Sequence, residues 1–430
     1  MKTSIKAIVI ALSLATTMGT VNAASEAKSV SPYTPHDGYS KQESAQLISK
    51  FDINTYQNIE DVTRYVYLNM PQFFPNNTIA RTGQVSQLAT KIDENIGKIE
   101  AQTPYGKISL DEWTEDHMDG VIVIYKGEVV YEKYPRMQPT DKHIWWSVSK
   151  SMAGTLVAML EAKGQVDVKQ PIEKYIPELK GTDWAGTTVI DILDMTSGMT
   201  GLEADDPEAY TNPKSPYGLY ESSLGLVAKT DITMDSTYDY IASLKRQKPA
   251  GQKHEYTSVN TFVLGWLVEK MTGQSYADVI SEQVWQHIGA ESDANLMVSK
   301  SGAPGSHGAI SSTLRDLGRY GMLFTPSWNQ ISQHQVISNN IVERFQTAGR
   351  PENIKAGMGF DYFNDYFMGD LESSTYQWDA VTTDKDFAKA GFHGQTLYIS
   401  PSKDLVVASF ATNSTYSTFT FARTLAKSLK

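Results

Sequence analysis

No cysteine occurs in the 430 residues. That absence excludes thiol catalysis, zinc–thiolate sites, disulfide staples and a lipid-bearing N-terminal cysteine. Long apolar runs are missing as well: beyond the N-terminus no stretch approaches the roughly 20 residues that a membrane-spanning helix needs. Basic residues are the minority, 38 Lys and Arg against 49 Asp and Glu, for a formal charge of −11. The acidic excess is scattered along the chain, which argues against nucleic acid as a partner and for plain solubility. The 8 histidines are dispersed and form no H-E-x-x-H pair. No glycine-rich phosphate loop precedes a helix, so neither metal nor cofactor is called for.

What is present is enough apolar material, 40% hydrophobic and 10% aromatic, for one large domain or two fused ones. The first residues read as a secretory signal. Lys2 and Lys6 supply the positive region, Ala7 to Leu14 the apolar one, and Val21-Asn22-Ala23 the small-residue cleavage pattern. The expectation is removal after Ala23, a periplasmic or secreted product and no membrane insertion afterwards. Residues 24–115 read as a polar lead-in, loose to about residue 60, followed by a helical segment from Gln84 through "QVSQLATKIDENIGKIEA". Residues 116–430 read as the main domain.

That domain opens on "GVIVIYKGEVVYEKY", two β-rich runs joined at Lys126-Gly127, a hairpin signal. "HIWWSVSKSMAGTLVAMLEAKG" follows. There Met152, Leu156, Met159 and Leu160 recur at helical spacing, and Gly164 is a stop. From Thr187 to about Gln346 the pattern is mostly helical. "QTLYISPSKDLVVASFAT" returns to strands around a turn, and a closing helix starts near Thr418. Strands from both chain ends with helices between them predict one sheet carrying an inserted helical region.

A serine three residues before a lysine occurs at Ser25, Ser147 and Ser400. Roughly two such matches are expected by chance, so spacing alone decides nothing. Ser147 differs by opening a helix. Positions i and i+3 share a face, so Lys150 can sit beside the Ser147 hydroxyl. The free N–H groups of the helix start favour a developing oxyanion, and a lysine facing a desolvated cleft can lose its proton and act as base. Ser147 as a simple cap with Lys150 solvated is the competing reading. A G-x-S-x-G elbow is absent: the nearest match, Gly273-Gln-Ser275-Tyr-Ala277, follows a helical run.

Ser147-Val-Ser-Lys150, "LEAKGQVDVKQPIEKYIPEL" and "TVIDILDMTSGM" together resemble the serine β-lactamase and penicillin-binding superfamily, in its class C-like branch. That branch includes esterases, D-amino-acid peptidases and 6-aminohexanoate-dimer hydrolase. The resemblance runs from about Gly120 to the end, and weakly earlier through "NMPQFFPNNTIART". It implies an α/β (α+β) fold, an antiparallel sheet from both chain ends flanked by helices, with a mostly helical second region and the site between them. It further implies that Tyr256, in "YTSVNTFVLG", relays a proton, with Ser258 where the branch has an asparagine. Lys389-Ala390-Gly391 resembles its Lys-Thr-Gly strand. The backbone N–H groups of Ser147 and Phe392 would then form the oxyanion hole. Lys389, Ser258, His393 and Tyr210 become candidates for substrate contact, with a structural role equally open for His393. "HGAISSTLRDLGRYG", from His307, resembles scaffold.

The function these residues imply is an exported serine hydrolase that cleaves an ester or linear amide of small-molecule or peptide-like kind through an acyl-enzyme. A D,D-peptidase, a β-lactamase, or a penicillin-binding-like sensor without turnover are the alternatives. Oligomeric state is not written in the sequence.

Overall fold

The computed structural model describes residues 38–58, 61–201, 203, 209, 212–357 and 359–429. The signal segment and Tyr210 lie outside the described residues. An eight-stranded sheet forms the backbone of the molecule. Its order is Leu371–Thr375, Trp378–Thr382, Phe387–Gly391, Gln395–Ser400, Leu405–Phe410, Gly120–Tyr125, Glu128–Lys133 and Ala89–Thr90. All neighbours pair antiparallel except the short Ala89–Thr90 strand, which runs parallel to Glu128–Lys133. The two ends of the chain meet at the seam where Val123 pairs with Val407. Both strands of that seam are apolar on both faces and buried, the pattern of a sheet covered on each side. The expected hairpin turn is there, with Lys126 and Gly127 both at positive φ.

One face of the sheet is covered by Leu314–Met322, which lies unusually close. A Cβ at Gly318 would come within 2.8 Å of Ile124 and one at Gly321 within 2.5 Å of Val406. Two glycines at i and i+3 thus form the smooth stripe that lets helix meet strand. The other face carries Thr418–Ser428, which packs with Trp113 and Phe367. The helical region holds the helix Lys150–Ala162, buried along nearly its whole length, against Ser258–Thr272 and Tyr276–Gln283. Gly164 follows the first of these at φ +71, the expected stop. A second sheet, Asn76–Ile79, Ala294–Met297, Ile310–Ser312 and His143–Ile144, delivers the chain to Ser147.

Two expectations are corrected. Residues Gln84 onward do not form one helix: they give the edge strand Ala89–Thr90, the single turn Glu94–Gly97 capped by Asp93, and the strand Glu100–Thr103. The N–H groups of Lys91 and Asp93 donate to Val129 and Val130 carbonyls, so the sheet edge outcompetes the helix. The polar lead-in is also more ordered than expected over residues 38–58. Lys41–Ser49 is a helix with a full Ser40/Glu43 capping box. Tyr56 and, further on, Tyr67 are fully buried in the same core as Met152.

Candidate active site

Trp145 and Trp146 set the nucleophile turn. Trp145 is fully buried, and its indole N–H donates to Ser312 at 2.9 Å. Trp146 then sits at φ +45, a left-handed conformation that is strained for so bulky a residue. It breaks the His143–Ile144 strand and throws the chain into the Trp146–Ser149 turn, from which Lys150–Ala162 continues.

Lys150 is fully buried, with Nζ 2.8 Å from Ser147 Oγ and 2.8 Å from the His307 carbonyl. Burial pushes its ammonium well below the usual lysine range, and the charge of Lys389 adds to this, while Glu203 works against it. The alternative of a solvated lysine beside a capping serine is therefore not what the fold builds. Tyr256 lies between the two lysines: Lys150 and Lys389 each hold Nζ 5.0 Å from its ring centre. Lys389 also reaches the Tyr256 hydroxyl at 3.4 Å. The strand Phe387–Gly391 abuts the nucleophile turn so closely that a Cβ on Gly391 would lie 2.5 Å from the Trp145 carbonyl. That contact brings together the segments carrying the backbone N–H groups of Ser147 and Phe392.

Several partners escaped the sequence reading. Asp379, across the sheet register from Lys389, holds its ammonium at 2.8 and 2.7 Å and accepts the Ala390 N–H at 2.9 Å. Glu203 takes both the N–H and the hydroxyl of Ser258 at 2.6 Å. Ser258 therefore spends its hydroxyl on a buried carboxylate. Burial raises Glu203, with nearby Lys150 opposing. His307 Nε2 lies 2.8 Å from Glu221, and its Nδ1 meets the Tyr220 hydroxyl at 2.8 Å. His393 takes φ +62, stacks on Phe392 and meets the Tyr67 hydroxyl through Nδ1 at 2.8 Å. Burial holds its imidazole down at about 3, so the ring is neutral. A cavity of about 460 Å³ opens beside Phe392 and His393, walled by Tyr217 and Glu221 on one side and by Ile53 to Asn58 on the other. Apart from the Asp379–Lys389 cross-strand pair, these partnerships join distant segments without a periodic signal.

A beta-lactamase family profile matches residues 110–429. The chain is 31% identical over 301 residues to the 6-aminohexanoate-dimer hydrolase of Paenarthrobacter ureafaciens, spanning 69% of this chain and 74% of that one. It is 25% identical over 180 residues to a beta-lactamase of Escherichia coli strain K12, spanning 39% and 41% of the two chains. A solved structure from Bacillus anthracis, provisionally assigned as a 6-aminohexanoate-dimer hydrolase, superposes with a TM-score of 0.72 at 22% identity over 85% of this chain and 93% of that one. At that identity the superposition speaks for the fold, and the architecture agrees with the one the sequence motifs implied. No described helix is long and apolar enough to cross a membrane. With the profile running from the first strands of the sheet to the closing helix, the chain belongs to the beta-lactamase family and is a serine hydrolase of that superfamily.

Proposed function

We propose that this hydrolase cleaves a linear amide, or a small ester, through an acyl-enzyme on Ser147, and that it works outside the cytoplasm. The observation that carries the chemistry is the buried Lys150 amine 2.8 Å from Ser147 Oγ. Ser147 Oγ attacks the substrate carbonyl carbon while its proton passes to Lys150 Nζ. The N–H groups of Ser147 and Phe392 receive the developing oxyanion, each donor of this kind contributing a few kcal/mol. Tyr256 relays that proton from Lys150 Nζ to the leaving nitrogen or oxygen as its bond to carbon breaks. Water then attacks the ester on Ser147 by the reverse path, and the carboxylic acid product leaves. Lys389, fixed by Asp379, keeps a positive charge against the tyrosine oxygen.

The substrate class rests on two departures from the β-lactam-handling pattern. Ser258 is committed to Glu203, and Ala390 has no hydroxyl. A site that lacks the partners for a group loses its preference for it. The relative named for the 6-aminohexanoate dimer supports a linear ω-amino-acid amide. The signal pattern in residues 1–23 supports export.

The test is kcat/KM for p-nitrophenyl butyrate, the 6-aminohexanoate dimer and a chromogenic cephalosporin on one preparation. We expect the first two to exceed the cephalosporin by roughly a hundredfold, equivalent to about 2.7 kcal/mol. Faster cephalosporin turnover would reassign the enzyme to β-lactam hydrolysis, and a single burst of p-nitrophenol without turnover would make it a sensor. N-terminal sequencing of the mature protein checks cleavage after Ala23.

A further inference from the structure

The family profile begins at residue 110, yet one wall of the cavity is built from residues that precede it. Ile53 and Tyr56 give that wall apolar surface, while Asn54, Gln57 and Asn58 give it three side-chain amides. Tyr67, which also precedes the matched region, meets His393 Nδ1 with its hydroxyl at 2.8 Å. Tyr67 is fully buried and His393 is neutral. A neutral imidazole carries one proton on its two nitrogens. A phenol that donates to Nδ1 leaves that proton on Nε2, the ring's remaining polar atom. His393 itself lines the cavity. No lysine or arginine is among the described lining residues, and the one carboxylate there, Glu221, comes from the helix Pro216–Leu224 and lies 2.8 Å from His307 Nε2. The wall built by Ile53, Asn54, Tyr56, Gln57 and Asn58 therefore offers neutral donors and acceptors, with no charge of its own.

We infer that Asn54, Gln57 and Asn58 together with His393 form a subsite for an uncharged amide group of the substrate, with His393 Nε2–H donating to its carbonyl oxygen and the three side-chain amides facing the rest of the group. Tyr67 is the positioning residue that fixes the His393 tautomer. The inference rests on the proposed function and narrows it: oligoamides with an amide group beyond the bond that is cut fill this subsite, which the single-amide 6-aminohexanoate dimer leaves empty. A simple ester of a short acid leaves this subsite empty.

Calorimetric titration of the Ser147→Ala protein with a linear ω-amino-acid dimer, capped at both ends as neutral amides, separates binding from turnover. His393→Phe in that background should weaken binding about tenfold, the worth of one hydrogen bond to a buried group. Tyr67→Phe should weaken it about threefold, because the ring is kept and its tautomer is released. His393→Asn, which keeps a donor and tolerates positive φ, should recover most of the affinity. Absence of binding to Ser147→Ala, equal affinity in His393→Phe, or equal loss in His393→Phe and His393→Asn would overturn the subsite. Where His393→Phe fails to fold by circular dichroism, Tyr67→Phe and His393→Asn decide the matter. Steady turnover of p-nitrophenyl acetate by the unmodified enzyme reports on the acyl-enzyme reading separately, since that ester does not reach the subsite.

Discussion

Lys150 is suited to take a proton because its surroundings make carrying a charge costly. An arginine in its place would stay charged at every accessible pH. Lys150→Arg should therefore lower kcat by roughly a thousandfold, within the range lost with a general base, as read in steady-state ester hydrolysis. Glu203 works in the opposite sense to burial, favouring the ammonium. Glu203→Gln should shift the acidic limb of kcat/KM to lower pH, since the base then sheds its proton earlier; a pH–rate profile measures it. Asp379 neutralises a fully buried Lys389. Asp379→Asn leaves that charge unpaired and should cost about 3 kcal/mol of stability in urea unfolding. Ser147, Lys150, Tyr256 and Lys389 were all legible as motif positions, and the structure brings them within one cluster. Their carboxylate partners were not, because Glu203 and Glu221 approach from segments with no fixed spacing to the motifs. Asp379 was within reach: pairing "WDAV" with "FAKA" in antiparallel register sets it opposite Lys389.

The helix Lys150–Ala162 shows how an element is held against a strand turn. A Cβ on Gly154 would fall 2.0 Å from the Tyr376 carbonyl oxygen, a backbone atom with no rotamer to yield. In a solvent-facing helix Gly→Ala gains up to about 1 kcal/mol. Here the sign reverses, and Gly154→Ala should destabilise by about 1–3 kcal/mol, the usual cost of overpacking. Urea denaturation followed by tryptophan fluorescence checks it, and kcat should fall with it because Lys150 opens this helix and Ser147 lies in the turn that leads into it. Long periodic elements such as this one, and strands flanked by turn residues, were readable because their burial pattern is written locally. The region from Gln84 was misread because its apolar residues have helical spacing while its backbone finds better partners on Val129 and Val130. Local pattern cannot register a competitor that lies far along the chain.

Across the whole molecule, two buried histidines make the fold sensitive to acid. Burial holds His254 at about 4 and His393 at about 3, against about 6.5 in an unfolded chain. Between those values the unfolded state binds more protons at these two groups, so their contribution to stability falls as pH drops from 6.5 toward 4. Asp194, which burial raises to about 6, and Glu203, which burial also raises, act in the opposite sense. Both ring nitrogens of His254 lack a hydrogen-bond partner among the described residues. His254→Leu should therefore shrink the loss of Tm between pH 7 and pH 5, measured by calorimetry, and be neutral to stabilising at pH 7. The seam between Gly120–Tyr125 and Leu405–Phe410 carries a kinetic consequence. A nascent chain can pair Gly120–Tyr125 with Glu128–Lys133, but the other edge of that strand has no mate while five of the eight strands of the main sheet have yet to be synthesised. Contacts so far apart in sequence form slowly. Until the last strands leave the ribosome, the sheet keeps an open, aggregation-exposed edge, and completion of the fold is deferred to release.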